Sequence, residues 1–298
     1  MALKIFYCYA HEDHLLRDKL DKHLSPLKRL GRIIDWCDRE IRPGTNWEQE
    51  IDIHLNDADV ILLLISPSFI ASDYCYSVEM QRVIARHQTE NLPVLPVILC
   101  PVHWEETILG SLQALPTGAK PITKWRRQDD AYWDIVNGIT KIVKPLLAQK
   151  YRGEGHEHAI AHNHEKALEA YNQAIQLEPN DADTYYCEGN MLFFLKYFDE
   201  ARVDYEQAIY YAPQEAAYYE AKALTLFHLG QTAEALTTID RALQLDSTYT
   251  DAYRSKRDML LRLGRNEEAA SLSIKIEQLA KEIESKTVNE LLDWGTSR

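Results

Sequence analysis

Glu79 lies seven residues beyond Ser72 in the stretch Ser72-Asp-Tyr-Cys-Tyr-Ser-Val-Glu79-Met80, just downstream of the apolar run Val60-Ile-Leu-Leu-Leu-Ile-Ser66. It is the carboxylate of this chain whose surroundings suggest chemistry. An all-apolar run opened by Asp59 and closed by Ser66-Pro67-Ser68 predicts a strand buried on both faces, and such strands belong to parallel sheets. Ligands of open parallel sheets gather at the carboxyl ends of the strands. An anionic side chain on the segment leaving this strand therefore stands where a functional group is expected. Helical spacing from Tyr74 to Ile84 sets Val78 on a different side from Glu79, so Glu79 need not point into the core.

The elements that must position it follow from hydrophobic patterning. Up to about residue 147, short apolar runs alternate with amphipathic segments. Strands are expected at 3–9, 32–36, 60–66, 93–100 and 120–125, and helices at 13–27, 47–56, 74–87 and 130–147, with 103–117 mixed in character. This alternation predicts a doubly wound α/β domain, residues 1–147, with five parallel strands in a flavodoxin-like 2-1-3-4-5 order. The loops leaving the first and third strands, Tyr9-Ala10-His11 and the segment leading to Glu79, then flank the switch point and form one crevice.

Composition narrows the classes of function. The 298 residues carry a formal charge of -13, with 17 Lys+Arg against 20 Asp+Glu in residues 1–147 and 16 against 26 in 148–298. The acidity lies in the second half. Such a balance disfavours nucleic acid, whose binding needs clustered basic charge, and docking on anionic membranes. The five cysteines, Cys8, Cys37, Cys75, Cys100 and Cys187, are odd in number and contain no CxxC pair, as expected of thiols in a reducing compartment. The start lacks the long apolar core of a signal peptide, and no run approaches the length that spans a bilayer. A cytoplasmic protein is expected.

From residue 148 onward the β-branched runs vanish and a repeat takes over. Ala167, Ala201, Ala235 and Ala269 are spaced by 34, as are Ala174, Ala208, Ala242 and Ile276. Gly155, Gly189, Ala223 and Arg257 repeat likewise, each four residues after Tyr151, Tyr185, Tyr219 or Tyr253, and Pro179 and Pro213 close the first two units. Small residues are expected where two antiparallel helices approach closely, with Gly189 packing against Ala201 and Ala208. This pattern resembles the tetratricopeptide repeat (TPR), a helix-turn-helix unit that stacks into a solenoid. Residues 148–298 are expected to form about four units, the last the weakest match, with 270–292 extending the fourth and supplying a capping helix. That register puts His162 and His164 at a turn between helices, so His156, His158, His162 and His164 are expected as solvated or packing residues. No metal site is expected. The acidic balance hints at a basic partner.

Several stretches of the first half together resemble Toll/interleukin-1 receptor (TIR) domains of the soluble bacterial kind. They are Phe6-Tyr-Cys-Tyr-Ala-His-Glu-Asp13, Asp35-Trp-Cys-Asp-Arg-Glu-Ile-Arg-Pro-Gly44 with Trp47-Glu-Gln-Glu-Ile51, Asp57-Ala-Asp-Val-Ile-Leu-Leu-Leu-Ile-Ser66, and Ser72 to Met80. The resemblance covers about 1–145. Many similar domains cleave NAD+ at the nicotinamide-ribose bond, releasing nicotinamide and ADP-ribose or a cyclised isomer, whereas others act only as adaptors. In the enzymatic members a glutamate after the third strand is essential, and Glu79 occupies that position. NAD+ would be a substrate, with no separate cofactor.

The resemblance further implies that Tyr9 and Ala10 line the nicotinamide side and Asp38 and Trp47 the ribose-phosphate side, while Arg39 and Arg42 meet phosphates. Cys75, flanked by Tyr74 and Tyr76, stands four residues before the glutamate, where many enzymatic members carry Trp. The loop Arg39-Glu40-Ile41-Arg42-Pro43-Gly44 corresponds to the BB loop, which in this family docks on neighbouring TIR domains, so a homo-oligomer is implied. Its Pro-Gly equally suits a plain surface turn. The leading expectation is an NAD+-consuming enzyme in bacterial immune (anti-phage) or stress signalling, with the repeats sensing a protein or peptide partner or driving oligomerisation. The alternative is a non-catalytic scaffold making homotypic TIR contacts, and a third reading is turnover of another nucleotide.

Overall fold

In the computed structural model, residues 2–36, 47–72 and 80–296 are described, side chains of 47, 48 and 283–296 excepted. The chain divides into two compact units, Met1–Lys150 and Tyr151–Arg298. The first holds strands β1 (Leu3–Tyr9), β2 (Ile33–Trp36), β3 (Val60–Ile65) and β4 (Val94–Ile98), all parallel and in the order β2-β1-β3-β4. β3 is the apolar run recognised in the sequence, and all six of its side chains are buried. Burial of each contributes about 1.5–3 kcal/mol, which fixes β3 at the centre of the layer.

Helices α1 (His14–Arg29), α2 (Trp47–Asn56), α3 (Pro67–Ala71), α4 (Met80–Glu90) and α5 (Gln128–Ile160) accompany the sheet. Their inward residues follow helical spacing: Leu20, Leu24 and Leu27 on α1, Ile51 and Leu55 on α2, and Ile135, Ile139 and Val143 on α5. α5 runs thirteen residues past the expected end at 147, and the division between the units falls within it. Apolar and helix-favouring residues continue through that boundary, with nothing to cap the helix there.

The expected fifth strand at 120–125 does not form. Ile122–Lys124 is a single 3-10 turn; beyond β4 the described residues show an isolated bridge between Val97 and Leu115, in which Leu115 N–H donates to Pro96 O and Ile98 N–H to Leu115 O, both at 2.8 Å, and a lone bond from Thr123 N–H to Leu99 O at 3.2 Å. Pro116 and Pro121 have no N–H to give a ladder, and Gly118 turns the chain with φ 73°. Ile122 is fully buried there without belonging to a strand.

The second unit contains, after the end of α5, helices α6 (His164–Leu177), α7 (Ala182–Phe194), α8 (Phe198–Tyr211), α9 (Ala216–His228), α10 (Thr232–Leu245), α11 (Thr250–Arg262) and α12 (Asn266–Thr296). Helices pack in sequence-adjacent pairs, α7 on α8, α9 on α10 and α11 on α12. The repeating alanines Ala167, Ala201, Ala235 and Ala269 are all buried. Gly189, however, lies nearest the ring of Tyr205 rather than Ala201 or Ala208: a Cβ at Gly189 would come within 2.8 Å of Tyr205 Cε1. Gly155 meets Tyr171 in the same way one unit earlier. In the third unit the equivalent pair is Ala223 and Ile239, two members of one buried cluster. The ring and the missing Cβ are thus one packing device, traded as a pair for alanine and isoleucine.

Gly189→Ala is expected to destabilise the repeats by about 1–3 kcal/mol through overpacking. Combined with Tyr205→Ile it should recover part of that loss, read as a non-additive shift in urea midpoint. Additive losses would show that the two side chains do not share the space.

Candidate active site at the carboxyl edge of the sheet

Parallel pairing sets Tyr9, the last residue of β1, beside Leu64 near the end of β3. The two strand exits therefore leave the sheet as neighbours, with β2 beyond β1 on one side and β4 beyond β3 on the other. After Tyr9 the chain turns at Ala10 into a 3-10 turn, His11–Asp13, closed by Asp13 N–H donating to Ala10 O at 2.9 Å. Tyr9 and Ala10 are both buried, and the Arg17 guanidinium lies over the Tyr9 ring, 5.3 Å from its centre. At that distance the cation meets the negative face of the ring.

The exits of β1 and β3 are tied by a hydrogen bond between residues 53 apart. Ser66 Oγ donates to Asp13 Oδ2 at 2.5 Å and accepts from Phe69 N–H at 3.0 Å. The same hydroxyl thus caps α3 and holds the β1 loop. Both residues are buried. Burial raises the Asp13 carboxyl above the ordinary carboxylate range, the Ser66 hydrogen bond opposes that rise, and Glu12 adds to it. Loss of the hydroxyl would leave a buried carboxylate short of a partner, which costs about 1–3 kcal/mol or more. Ser66-Pro67 is legible in sequence as the stop of a strand, and serine before proline is also a helix-start signal. Nothing local points from Ser66 to Asp13.

Farther along the same edge, Cys100 follows β4, its thiol pushed up by burial, with Thr123 in hydrogen-bond contact. A cavity of about 330 Å³ opens there, lined by His103, Trp104, Glu105 and Pro121 among others. On the β2 side, Trp36 stacks on Phe6 at 5.4 Å and on His54 of α2 at 4.2 Å, which anchors α2 against the end of β2. Asp35 and Asp21 share the ammonium of Lys28, with Asp35 at 2.6 Å. Burial raises the Asp35 carboxyl, against the pull of Lys28.

Of the residues singled out in the sequence, Tyr9 and Ala10 are brought to the switch point. Trp47 opens α2, its side chain not described. Asp38, Arg39, Arg42, Cys75 and Glu79 lie outside the described residues. Among the described residues no three His, Cys, Asp or Glu side chains converge as a metal site requires. His156 lies 3.3 Å from the Tyr171 hydroxyl, His158 faces Glu154 at 3.9 Å, and His164 stacks on Phe194. Among the described residues no helix is long and apolar enough to cross a membrane.

Comparison with known proteins bears on both halves. Residues 5–131 match the family model described as TIR domain. Residues 155–195 match a TPR repeat model, and 182–215 and 216–249 each match a tetratricopeptide repeat model; the fourth unit lies beyond these matches. The chain is 45% identical over 135 residues to an uncharacterized protein, y4lF, of Sinorhizobium fredii, an alignment covering 45% of this chain and 42% of that protein. The chain thus spans less than half the length of that curated relative. Among solved structures it is similar to MamA, at 16% identity and TM-score 0.44 over 53% of this chain and 92% of that one. It is also similar to the first TPR of Spaghetti (RPAP3) bound to an HSP90 peptide, at 19% identity and TM-score 0.39 over 40% and 95%.

Proposed function

Because this chain carries a TIR domain followed by C-terminal tetratricopeptide repeats, we propose that it is an NAD+ glycohydrolase whose repeat half binds a protein or peptide partner or drives oligomerisation. The observation that carries this reading is the pairing of Tyr9 with Leu64, which sets the β1 exit, with Ala10 behind it, beside the end of β3. In sequence, the β3 exit leads on to Glu79. The Asp13–Ser66 bond supports it by holding the two exits together.

The chemistry asks for little more than placement. The bond from ribose C1′ to the nicotinamide nitrogen breaks with its electron pair passing to nicotinamide, which departs neutral because it begins as a pyridinium. No acid is needed to protonate it. Positive charge develops on the ribose, where the Glu79 carboxylate stabilises it. Water then adds to C1′ and loses a proton, giving ADP-ribose; attack by an adenine nitrogen instead would give a cyclised isomer. Tyr9 and Ala10 would line the nicotinamide side, with Asp38 and Trp47 toward the ribose phosphates, Arg39 on a phosphate, and Cys75 where many relatives place a stacking Trp. The BB loop bearing Arg39 and Gly44 would complete a neighbouring copy's site. We place the enzyme in cytoplasmic bacterial immune signalling.

The test is to incubate concentrated full-length protein with NAD+ and resolve the products by chromatography and mass spectrometry. Nicotinamide released in step with ADP-ribose or its cyclic isomer is expected. An assembled sample that consumes no NAD+ would leave the scaffold reading, which Cys75 in place of Trp favours. For a scaffold, Arg39, Pro43 and Gly44 should matter to partner recruitment while Glu79→Ala leaves it intact.

A further inference from the structure

The 34-residue register aligns Arg152, Tyr186, Glu220 and Arg254 as one row, carried successively by α5, α7, α9 and α11. Both arginines of the row are already engaged, Arg152 with Asp181 at 2.6 Å and Arg254 with Asp251 at 2.8 Å. Glu220 has no such partner. Ser255 Oγ donates to Glu220 Oε1 at 2.5 Å, and no cationic side chain pairs with this carboxylate among the described residues. Its charged neighbour is a second acid, Asp251, and burial together with Asp251 raises its carboxyl above the ordinary range. The same repeats neutralise acids elsewhere, with Lys222 on Glu206 at 3.1 Å and Lys256 on Asp240 at 2.5 Å. At Glu220 the half-buried charge is left uncompensated, a cost that an incoming cation would relieve.

Aromatic rings stand beside it. Tyr186, its neighbour in the row, packs against Tyr218 at 5.1 Å and Tyr205 at 6.0 Å. Tyr218 and Tyr205 are held in turn by hydrogen bonds to Asp183 and Asn190. Tyr249 packs against the same part of the repeats, and the Glu220 charge contributes to raising its phenol. A carboxylate without a counter-ion next to fixed tyrosine rings suits an ammonium or guanidinium group, by charge and by the ring faces. One carboxylate with hydroxyl neighbours is a poor metal set, and an anion would meet only repulsion.

We propose that Glu220 and Tyr186 receive a lysine or arginine side chain of a partner polypeptide. This rests on reading the repeat half as a partner-binding surface, and it names that partner's chemistry as cationic. The excess of acids over bases in residues 148–298, 26 against 16, favours the same sign of partner over longer range.

Fluorescence anisotropy with full-length protein and a fluorescein-labelled penta-arginine peptide tests this. Glu220→Gln is isosteric and keeps an acceptor for Ser255, so it should fold normally by circular dichroism and weaken binding about tenfold or more. Tyr186→Leu should weaken it by about three- to tenfold. Glu267→Gln removes an equal charge from an exposed site and should change binding less than about twofold. Equal losses from Glu220→Gln and Glu267→Gln would reduce the binding to diffuse electrostatics and overturn the proposal. So would a wild-type protein that ignores penta-arginine or prefers penta-glutamate. NAD+ turnover by the wild type is measured separately, so failure here leaves the enzymatic reading standing.

Discussion

NAD+ turnover is expected to fall about a hundredfold or more when Glu79 is replaced by glutamine, with KM for NAD+ changed far less than kcat. Glutamine keeps the size and the hydrogen-bonding reach of the side chain but removes its full negative charge. Charge on the ribose is small in bound NAD+ and large in the transition state, so the lost interaction is one made mainly at the barrier. Removing a single preorganised electrostatic contact of this kind costs about 3–4 kcal/mol. Because the departing nicotinamide needs no proton, no second carboxyl should show as an equally large loss. Glu106→Gln, an exposed acid of the same unit, serves as the control and should retain wild-type turnover. A Glu79→Gln protein that turns over NAD+ as fast as wild type, with products resolved by mass spectrometry, would remove Glu79 from the chemistry.

The central strand was legible because burial on both faces demands an uninterrupted apolar run, and residues 60–65 supply one. α2 was legible to its bounds, since Ile51 and Leu55 set the helical period between clear breaks. The strand expected at 120–125 failed for a backbone reason that apolar patterning does not carry: prolines at 116 and 121 remove the donors a ladder needs. In the repeats, periodicity exposed which positions are small but not what they touch, and the expected packing of Gly189 against Ala201 and Ala208 gave way to a ring one helix on. Gly189 is small because the Tyr205 ring fills the place of its Cβ. Links across long sequence separations were invisible for a different reason. Asp13 and Ser66 meet only once β1 and β3 are neighbours, and neither residue type announces a partner. For the candidate site, Tyr9 and Ala10 followed from the switch-point rule, because strand order alone decides where those exits emerge.

Glu188→Gln is expected to raise the thermal midpoint of the repeat transition by on the order of 10 °C at pH 8 and to leave it little changed near pH 4.5. Glu188 is buried on α7, and the buried Oδ2 of Asp204 on α8 has no hydrogen-bond partner among the described residues. Desolvation, with Asp204 adding repulsion, pushes Glu188 up to about 8 from 4.5, and burial pushes Asp204 up to about 7 from 3.8. A folded-state pKa above the unfolded one means that the folded protein holds the proton more tightly. The stability this gives is fully present below the unfolded value and is lost as pH rises through the folded one. The window therefore runs from about 4.5 to about 8, and the loss across it for Glu188 is on the order of 4 kcal/mol. Glutamine carries no charge to desolvate and none to repel Asp204. The following two units carry Lys222 and Lys256 in the register of Glu188 and pair them with Glu206 and Asp240, so neither places an acid at that position. Far-UV circular dichroism melts of the full chain between pH 4.5 and 8 would show wild type and variant converging in acid and separating above neutrality. Parallel curves across that range would mean that Glu188 is ionised at no cost in the folded repeats.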